Sequence, residues 1–391
     1  MVEKVKNILQ LIEEAEVKFK HLFGVPPVVK AYGPGRVNII GEHTDYNDGY
    51  VFPLALPMGT IVIGCKNNSK ECRVATMADE MTESNLIHFS IPKSGSISKS
   101  DTKWANYVIG IVEYFPTNDK ECFDAVINSS VPLGSGLSSS ASLEVAFYTF
   151  LEGLYSVKKK LSLSDKALLC QKAEHNYADV PCGIMDQFIG FMGKKGNALF
   201  IDCRNLSSQL INFENNSISV LIINSNIKHS LGSSEYPLRR NDCYSAAKIL
   251  NKSFLRDASL EELETNKNKL NPTTYLRARH VISENTRVLN AIEALNNSNF
   301  SKLGSLMNES HKSLRDDFQV SCSEIDQLVE IVQSCQGVLG SRMTGGGFGG
   351  CTVSLIYNTE IDNVINEVKK RYSGKPSFYV CTAEDGAKLF V

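Results

Sequence analysis

The chain has no long apolar run, no C-x-x-C pair, a single tryptophan and almost no net charge. No stretch approaches the roughly 20 apolar residues that a membrane helix needs, so no membrane association is expected. A formal net charge of -2 removes the electrostatic case for nucleic acid, which calls for a basic face or stripe. The run Lys158, Lys159 and Lys160 reads as a solvated helix end. The 11 cysteines, scattered from Cys65 to Cys381, are odd in number and lack paired spacing. That argues against a disulfide framework and a structural zinc site, and it leaves buried thiols in a reducing compartment, most simply cytoplasmic. The opening residues MVEKVKNILQLIEEAEVKFKHLFG carry charges throughout, where a secretory leader has an unbroken apolar stretch and a small-residue cleavage site. There is no internal repeat and no low-complexity tract.

The composition is that of an ordinary folded protein, 42% hydrophobic and 21% charged over 391 residues. That length exceeds one usual core and predicts two domains. Val5, Ile8, Leu9 and Ile12 give the N-terminal segment helical spacing. VVKAYGPGRVNIIG reads as two short strands interrupted by a Gly-Pro-Gly bend, VFPLAL as a strand, WANYVIGIVEYF as a helix, and FDAVINSSVP as a strand ending at Pro132. A helix is expected from about Ser139, where Leu143, Phe147, Phe150 and Leu154 share a face. Others follow through LSDKALLCQKAEHNYA and from Met185. ALFIDCR and SVLIINSN read as strands, and the polar stretch Asn205 to Asn216 between them marks a domain change, giving domains 1–210 and 211–391. Helical patterns continue to about Ser334, and GVLGSRMTGGGFGGCTVSLIY reads as strand, loop, strand. Both halves mix strands and helices, so the class is a two-domain α+β or α/β chain.

PLGSGLSSSAS, Pro132 to Ser142, joins a strand to a helix. One reading is a glycine-rich turn with a serine helix cap. The other is an anion site, in which glycines admit a phosphate to the amides of a helix N-terminus and the serine hydroxyls add donors or a metal ligand. One serine suffices for a cap; three after two glycines favour phosphate. The pattern G-x-x-x-x-G-K-[ST] occurs nowhere and no lysine follows the serines, so another group must meet the phosphate charge. Further on, Gly345, Gly347 and Gly350 match G-x-G-x-x-G, but the β-rich run CTVSLIY follows them. A dinucleotide site requires a helix there. A glycine-rich turn close to a ligand or to the other domain fits better.

Arg36, Asn38, Glu42, His43, Asp45, Tyr46 and Asn47 crowd into twelve positions. Carboxylates, amides and imidazole are what a ring of sugar hydroxyls requires, although a solvated turn has the same composition. The His-x-Asp spacing lacks a second histidine pair to make a metal site. Asp186 opens a helix, where an acid either complements the dipole or accepts a substrate proton. Glu174, near the end of the preceding helix, opposes the dipole; Mg²⁺ or a surface position would account for it.

Together, GRVNIIGEHTDYNDG (Gly35 to Gly49), PLGSGLSSSAS and MTGGGFGGC (Met343 to Cys351) resemble the GHMP small-molecule kinases. The first of these, with CGIMDQ (Cys182 to Gln187) and SSEYPLRR (Ser233 to Arg240), resembles the galactokinase branch, and the similarity runs essentially end to end. The resemblance implies a two-domain GHMP kinase fold: an N-terminal α/β domain of the ribosomal-protein-S5-like kind, a ferredoxin-like α+β domain, and an active site in the cleft between them. It implies Mg²⁺-dependent transfer from ATP to the anomeric hydroxyl of galactose, the first committed step of galactose catabolism, by a monomer or weak homodimer. Asp186 would face that hydroxyl, with Arg36 beside it and the γ-phosphate. Glu42, His43 and Asp45 would bind the other hydroxyls, and Gly183 and Tyr236 would complete the pocket. Gly134, Ser135, Gly136, Leu137, Ser138, Ser139 and Ser140 would line the triphosphate, and Ser140 and Glu174 would hold Mg²⁺. Ser135 stands where many members have glycine. Two neighbouring functions stay open. One is an N-acetylgalactosamine kinase, whose counterpart of HTDYN differs. The other is a non-catalytic galactose sensor, which lacks the pair present here as Ser140 and Ala141.

Overall fold

The computed structural model of the chain describes residues 2–78, 84–117, 120–157, 161–227 and 232–390; Lys158, Lys159 and Lys160 lie outside the described residues. The N-terminal helix α1 (Ile8–Phe23) starts at a capping box made by Asn7 and Gln10 and stops at Gly24, whose φ of 74° is left-handed. Next comes β1 (Val29–Asn38), one strand where the sequence suggested two. Its Gly-Pro-Gly does not break the strand but makes a bulge between Pro34 and Arg36 against β3. A bulge bends a strand and re-aims the following side chain, and that side chain is Arg36.

The chain continues through β2 (Tyr50–Val51), β3 (Pro53–Lys66), β4 (Cys72–Thr76), β5 (Leu86–Phe89), α2 (Lys103–Tyr114), β6 (Phe123–Ser129), α3 (Ser139–Tyr155), α4 (Leu163–Ala173), α5 (Met185–Met192), β7 (Asn197–Asp202), β8 (Ser207–Asn212) and β9 (Ile218–Asn224). Then come α6 (Gly232–Ile249), α7 (Leu260–Thr265), α8 (Pro272–Asn296), α9 (Phe300–Ser313), α10 (Ser323–Gln333), β10 (Val338–Thr344), β11 (Cys351–Tyr357), α11 (Ile361–Arg371), β12 (Ser377–Cys381) and β13 (Lys388–Phe390). The expected domain change at Asn205 to Asn216 contains β8, which pairs along its whole length with β7. Its polarity follows from its exposure, since five of its six residues face solvent.

Among the described residues the strands form sheets of order β13-β1-β3-β6-β4-β5, β10-β11-β9-β12 and β2-β7-β8. Alternation along the central strands sets the layers of the first sheet. Val62, Ala125 and Ile127 face α2 to α5, while Ile61, Ile63 and Val126 face α1. In the second sheet Leu221 and Ile223 face α10 and α11. Its other face, with Val220, Ile222, Val353 and Leu355, packs into one core with Val37, Ile39, Phe52 and Leu54 of the first domain. The two domains are therefore seated on each other through apolar contact. The chain termini cross this seam: the Glu3 amide donates to the Phe378 carbonyl at 2.8 Å, and β13 pairs with β1. Two helices also end in π turns, α4 in Glu174–Ala178 and α9 in Leu314–Phe318. Such turns mark functional positions more often than chance, and both of these border the cleft.

Candidate active site

Beyond β1 the chain turns back through a loop that is buried, not solvated. His43 and Asp48 are left-handed, with φ of 65° and 56°. Thr44 Oγ1 donates to the Gly41 carbonyl and Asn47 Nδ2 to the His43 carbonyl, at 2.8 and 3.0 Å. These bonds hold the loop in shape and leave Glu42, His43 and Asp45 facing one cavity. Arg36, Ser140, Glu174, Gly183, Asp186 and Tyr236 line it as well. Residues from four separate stretches of sequence thus meet at a single site. Val180, Cys182, Met185, Gly345 and Gly346 complete the lining, and sequence reasoning had not assigned these five to it.

The floor is an ion pair. Arg36 donates from Nε and Nη2 to the two oxygens of Asp186 at 2.6 and 2.8 Å, and from Nη1 to the Gly136 carbonyl at 2.6 Å. This fork joins the helix start of α5 to the glycine-serine loop. Ser138 occupies the N-cap position of α3 but is left-handed and makes no capping bond. Its hydroxyl donates to Asp186 instead. The simple cap reading therefore fails, and the first-turn amides of α3 keep the donors that an anion would use.

The rest of the loop divides by depth. Ser139 and Ser140 are half-buried in the first turn of α3. Leu137 is wholly buried in the shared core, and its carbonyl accepts the Arg36 amide. Ser135 turns its hydroxyl inward, onto the Pro132 carbonyl at 2.7 Å. Gly134 and Ser135 line a second hollow, with Asn224 and Asn226. The third glycine-rich stretch joins β10 to β11 and lies against this loop. A Cβ on Gly345 would sit 2.8 Å from the Gly136 carbonyl, and one on Gly350 would sit 2.6 Å from that of Ser135. Glycine is required there by backbone packing across the cleft.

Glu42 is held from both domains. Its Oε2 accepts Asn38 Nδ2 at 3.0 Å, and its Oε1 accepts the Thr344 hydroxyl at 3.0 Å and the Gly345 amide at 2.7 Å. His43 shares Nδ1 with the Tyr46 hydroxyl at 2.8 Å. Its ring packs against Tyr236 and Phe318, the latter from the second π turn. Burial first, and His280 next, push His43 down to about 3, so the ring is neutral. Its Nε2, beside the Gly346 backbone, makes no hydrogen bond of ordinary geometry. Burial keeps the Tyr236 phenol protonated.

Glu174 accepts from Gln187 at 2.7 Å and from the Cys182 thiol at 3.1 Å, with the Ser140 hydroxyl also against it. Burial, only partly offset by the Cys182 bond, pushes this carboxyl up to about 7. A buried acid beside a hydroxyl, at the edge of a loop with free helix-start amides, is an oxygen donor set suited to a hard divalent cation. Among the described residues no group of three or more His, Cys, Asp or Glu could hold a metal unaided. Mg²⁺ at phosphate sites uses one or two carboxylates and draws its remaining ligands from phosphates and water.

Asp45 opens onto the cavity yet lies deep in the molecule. Desolvation, reinforced by the Asp186 charge, raises it from 3.8 to about 7. A carboxyl that holds its proton more tightly when folded contributes stability at low pH and loses it as pH rises through the folded value. Relative to Asp45→Asn, the ligand-free wild type should therefore lose stability between about pH 4 and pH 7, by at most on the order of 4 kcal/mol. Denaturant titrations of both proteins across that range check this. A gap that does not change with pH would mean that Asp45 is not strained by its surroundings.

A galactokinase galactose-binding signature matches residues 17–66, and GHMP kinase N- and C-terminal domains match residues 106–194 and 291–374. Human galactokinase is 46% identical over 384 residues, covering 98% of this chain and 97% of that protein. A Haemophilus influenzae galactokinase is 42% identical over 389 residues, covering 97% and 99%. The crystal structure of Lactococcus lactis galactokinase complexed with galactose superposes with a TM-score of 0.91 at 33% identity, over 96% of this chain and 99% of that one. With these matches along its length and this fold, the chain belongs to the galactokinase family of the GHMP kinases.

Proposed function

We propose that the cavity binds galactose and that the chain transfers the γ-phosphoryl group of ATP to the anomeric hydroxyl, giving galactose 1-phosphate and ADP. The observation that carries this reading is the junction of Arg36, Asp186 and Ser138, where a polar cavity meets the glycine-serine loop. Phosphoryl transfer asks mainly for alignment and charge stabilisation. Asp186, fixed by the arginine fork, orients the attacking hydroxyl and takes its proton at Oδ1 or Oδ2 late in the transfer. Arg36 supplies the cation that the loop lacks and stays aimed because it also holds the Gly136 carbonyl. The α3 amides, with Ser139 and Ser140, receive the phosphates. Mg²⁺ would be held by Glu174 and Ser140, and when bound it screens the phosphate charge. Asp45 and Glu42 accept from sugar hydroxyls, and neutral His43 presents Nε2 as donor or acceptor.

The eleven cysteines are free thiols, which suits the cytoplasm. No helix among the described residues is long and apolar enough to cross a membrane. A monomer or weak homodimer is sufficient for a site built within one chain. The test is ADP release with ATP, with and without Mg²⁺, on galactose, N-acetylgalactosamine, glucose and mevalonate. Magnesium-dependent turnover on galactose far above the others is expected. Faster turnover on N-acetylgalactosamine would reassign the substrate, and galactose binding without ADP release would make the chain a sensor.

A further inference from the structure

The largest fully buried side chain among the described residues is a cation, Arg342 on β10, with none of its surface exposed. Its Nη1 donates to the carbonyls of Asn38 and Ile39 at the end of β1, at 2.9 and 3.2 Å. Its Nη2 lies 3.4 Å from Glu42 Oε1. Among the described residues Nε and Nη2 have no hydrogen-bond partner. A buried guanidinium with spare donors is costly unless a nearby anion offsets it. Two anions share the space, Glu42 and Glu284. Glu284 is already engaged by Arg287 Nε at 2.6 Å, the Ser310 hydroxyl at 2.6 Å and the Gly41 amide at 2.9 Å. Among the described residues Glu42 has no other cation within ion-pair distance, and it is also the one that lines the cavity.

Arg342 comes from the second domain, and the backbone it grips carries the sugar-facing loop of the first. The same β10 end supplies the Thr344 hydroxyl and the Gly345 amide to Glu42 Oε1. From this we infer that Arg342 is a positioning residue for sugar recognition. It keeps the Glu42 carboxylate aimed, and it makes sugar affinity depend on how the second domain is seated. Oε1 is the anchored oxygen. Oε2, bonded to Asn38 alone among the described residues, keeps a lone pair for a sugar hydroxyl. The inference rests on the galactose reading above and adds a residue that does not line the cavity.

The experiment is a double-mutant cycle on galactose affinity by calorimetry, using Arg342→Met, Glu42→Gln and the pair. Wild type must bind galactose; if it does not, the substrate reading fails and this inference falls with it. If wild type binds, Arg342→Met should weaken binding at least about tenfold, with kcat at saturating galactose within about threefold, because Arg36 and Asp186 are untouched. The loss from Arg342→Met should be markedly smaller in the Glu42→Gln background than in wild type, since Arg342 acts mainly through Glu42. Arg342→Lys, which keeps the charge, should recover part of the affinity. Additive losses, or unchanged affinity in Arg342→Met, overturn the inference. Should Arg342→Met fail to fold, Arg342→Lys, which keeps the charge but not the guanidinium fork, takes its place in the cycle, and weakened affinity that is not additive with Glu42→Gln is the supporting result.

Discussion

Asp186→Asn is expected to bind galactose within a few-fold of wild type and to release ADP at least about a thousandfold more slowly, the upper range for loss of a positioned proton acceptor. The substitution keeps the side chain's shape but replaces an acceptor oxygen with an N–H donor. Two arginine donors and the Ser138 hydroxyl now converge on the carboxylate. With an amide in its place one of them meets another donor, so the Arg36 fork is misaligned as well as the proton acceptor lost. The two losses act on the transition state, while the sugar-facing groups Glu42, His43 and Asp45 are untouched. The measurements are single-turnover ADP formation and calorimetric galactose binding. Activity within tenfold of wild type would remove Asp186 from the centre of the mechanism. Comparison with Asp186→Ala separates two roles. A much milder loss in the amide means that the oxygen it keeps still orients the hydroxyl, and equal losses mean that it does not.

Gly183→Ala should abolish useful sugar affinity, by about a hundredfold or more, the scale of a displacement near 1 Å at a site of this kind. A Cβ at residue 183 would lie 1.8 Å from Asp45 Oδ2 and 2.0 Å from its Cγ. No rotamer change at residue 183 relieves that, because Cβ has no rotamer, so Asp45 must move. Asp45 is anchored through Oδ1 to the Tyr46 amide at 3.0 Å, and displacing it disturbs the short turn it opens, Asp45–Asn47. Removing the carboxylate as well, in Gly183→Ala with Asp45→Ala, should return the melting temperature towards wild type without returning affinity. If Gly183→Ala alone binds galactose normally, the close approach does not shape the site.

Much of this was legible in the sequence because the motifs are local. The strand-to-helix loop at Pro132 to Ser142, the helix opened by Asp186 and the strand-loop-strand around Gly345 all appear where their residues suggested. The unbroken β1 was not legible, since Gly-Pro-Gly in isolation is a bend. Pairing with β3, which runs through Gly33 and Pro34, keeps it a strand. Ser138 was likewise ambiguous: its hydroxyl chooses between a cap and Asp186, and the choice depends on a helix 48 residues away. Gly345 and Thr344 reach Glu42 across about 300 positions, a distance at which spacing carries no information. Arg342 left one trace, an arginine in an otherwise small and apolar strand, GSRMT. That trace says that a partner exists and not which residue it is.

The crossing of the termini bears on how the molecule is made. Ribosomes deliver the chain from its N-terminus, and domains generally fold as they emerge. Here the first sheet is not completed in that order. Until Lys388–Phe390 has emerged, Lys30–Tyr32 of β1 form an uncovered edge in a sheet rich in valine and isoleucine, and uncovered edges invite pairing with other chains. The nascent first domain must therefore wait through the synthesis of the whole second domain with its flank open. Slow elongation, or a truncation that removes only the last strand, should act as an aggregation hazard with no direct effect on the residues of the catalytic cleft.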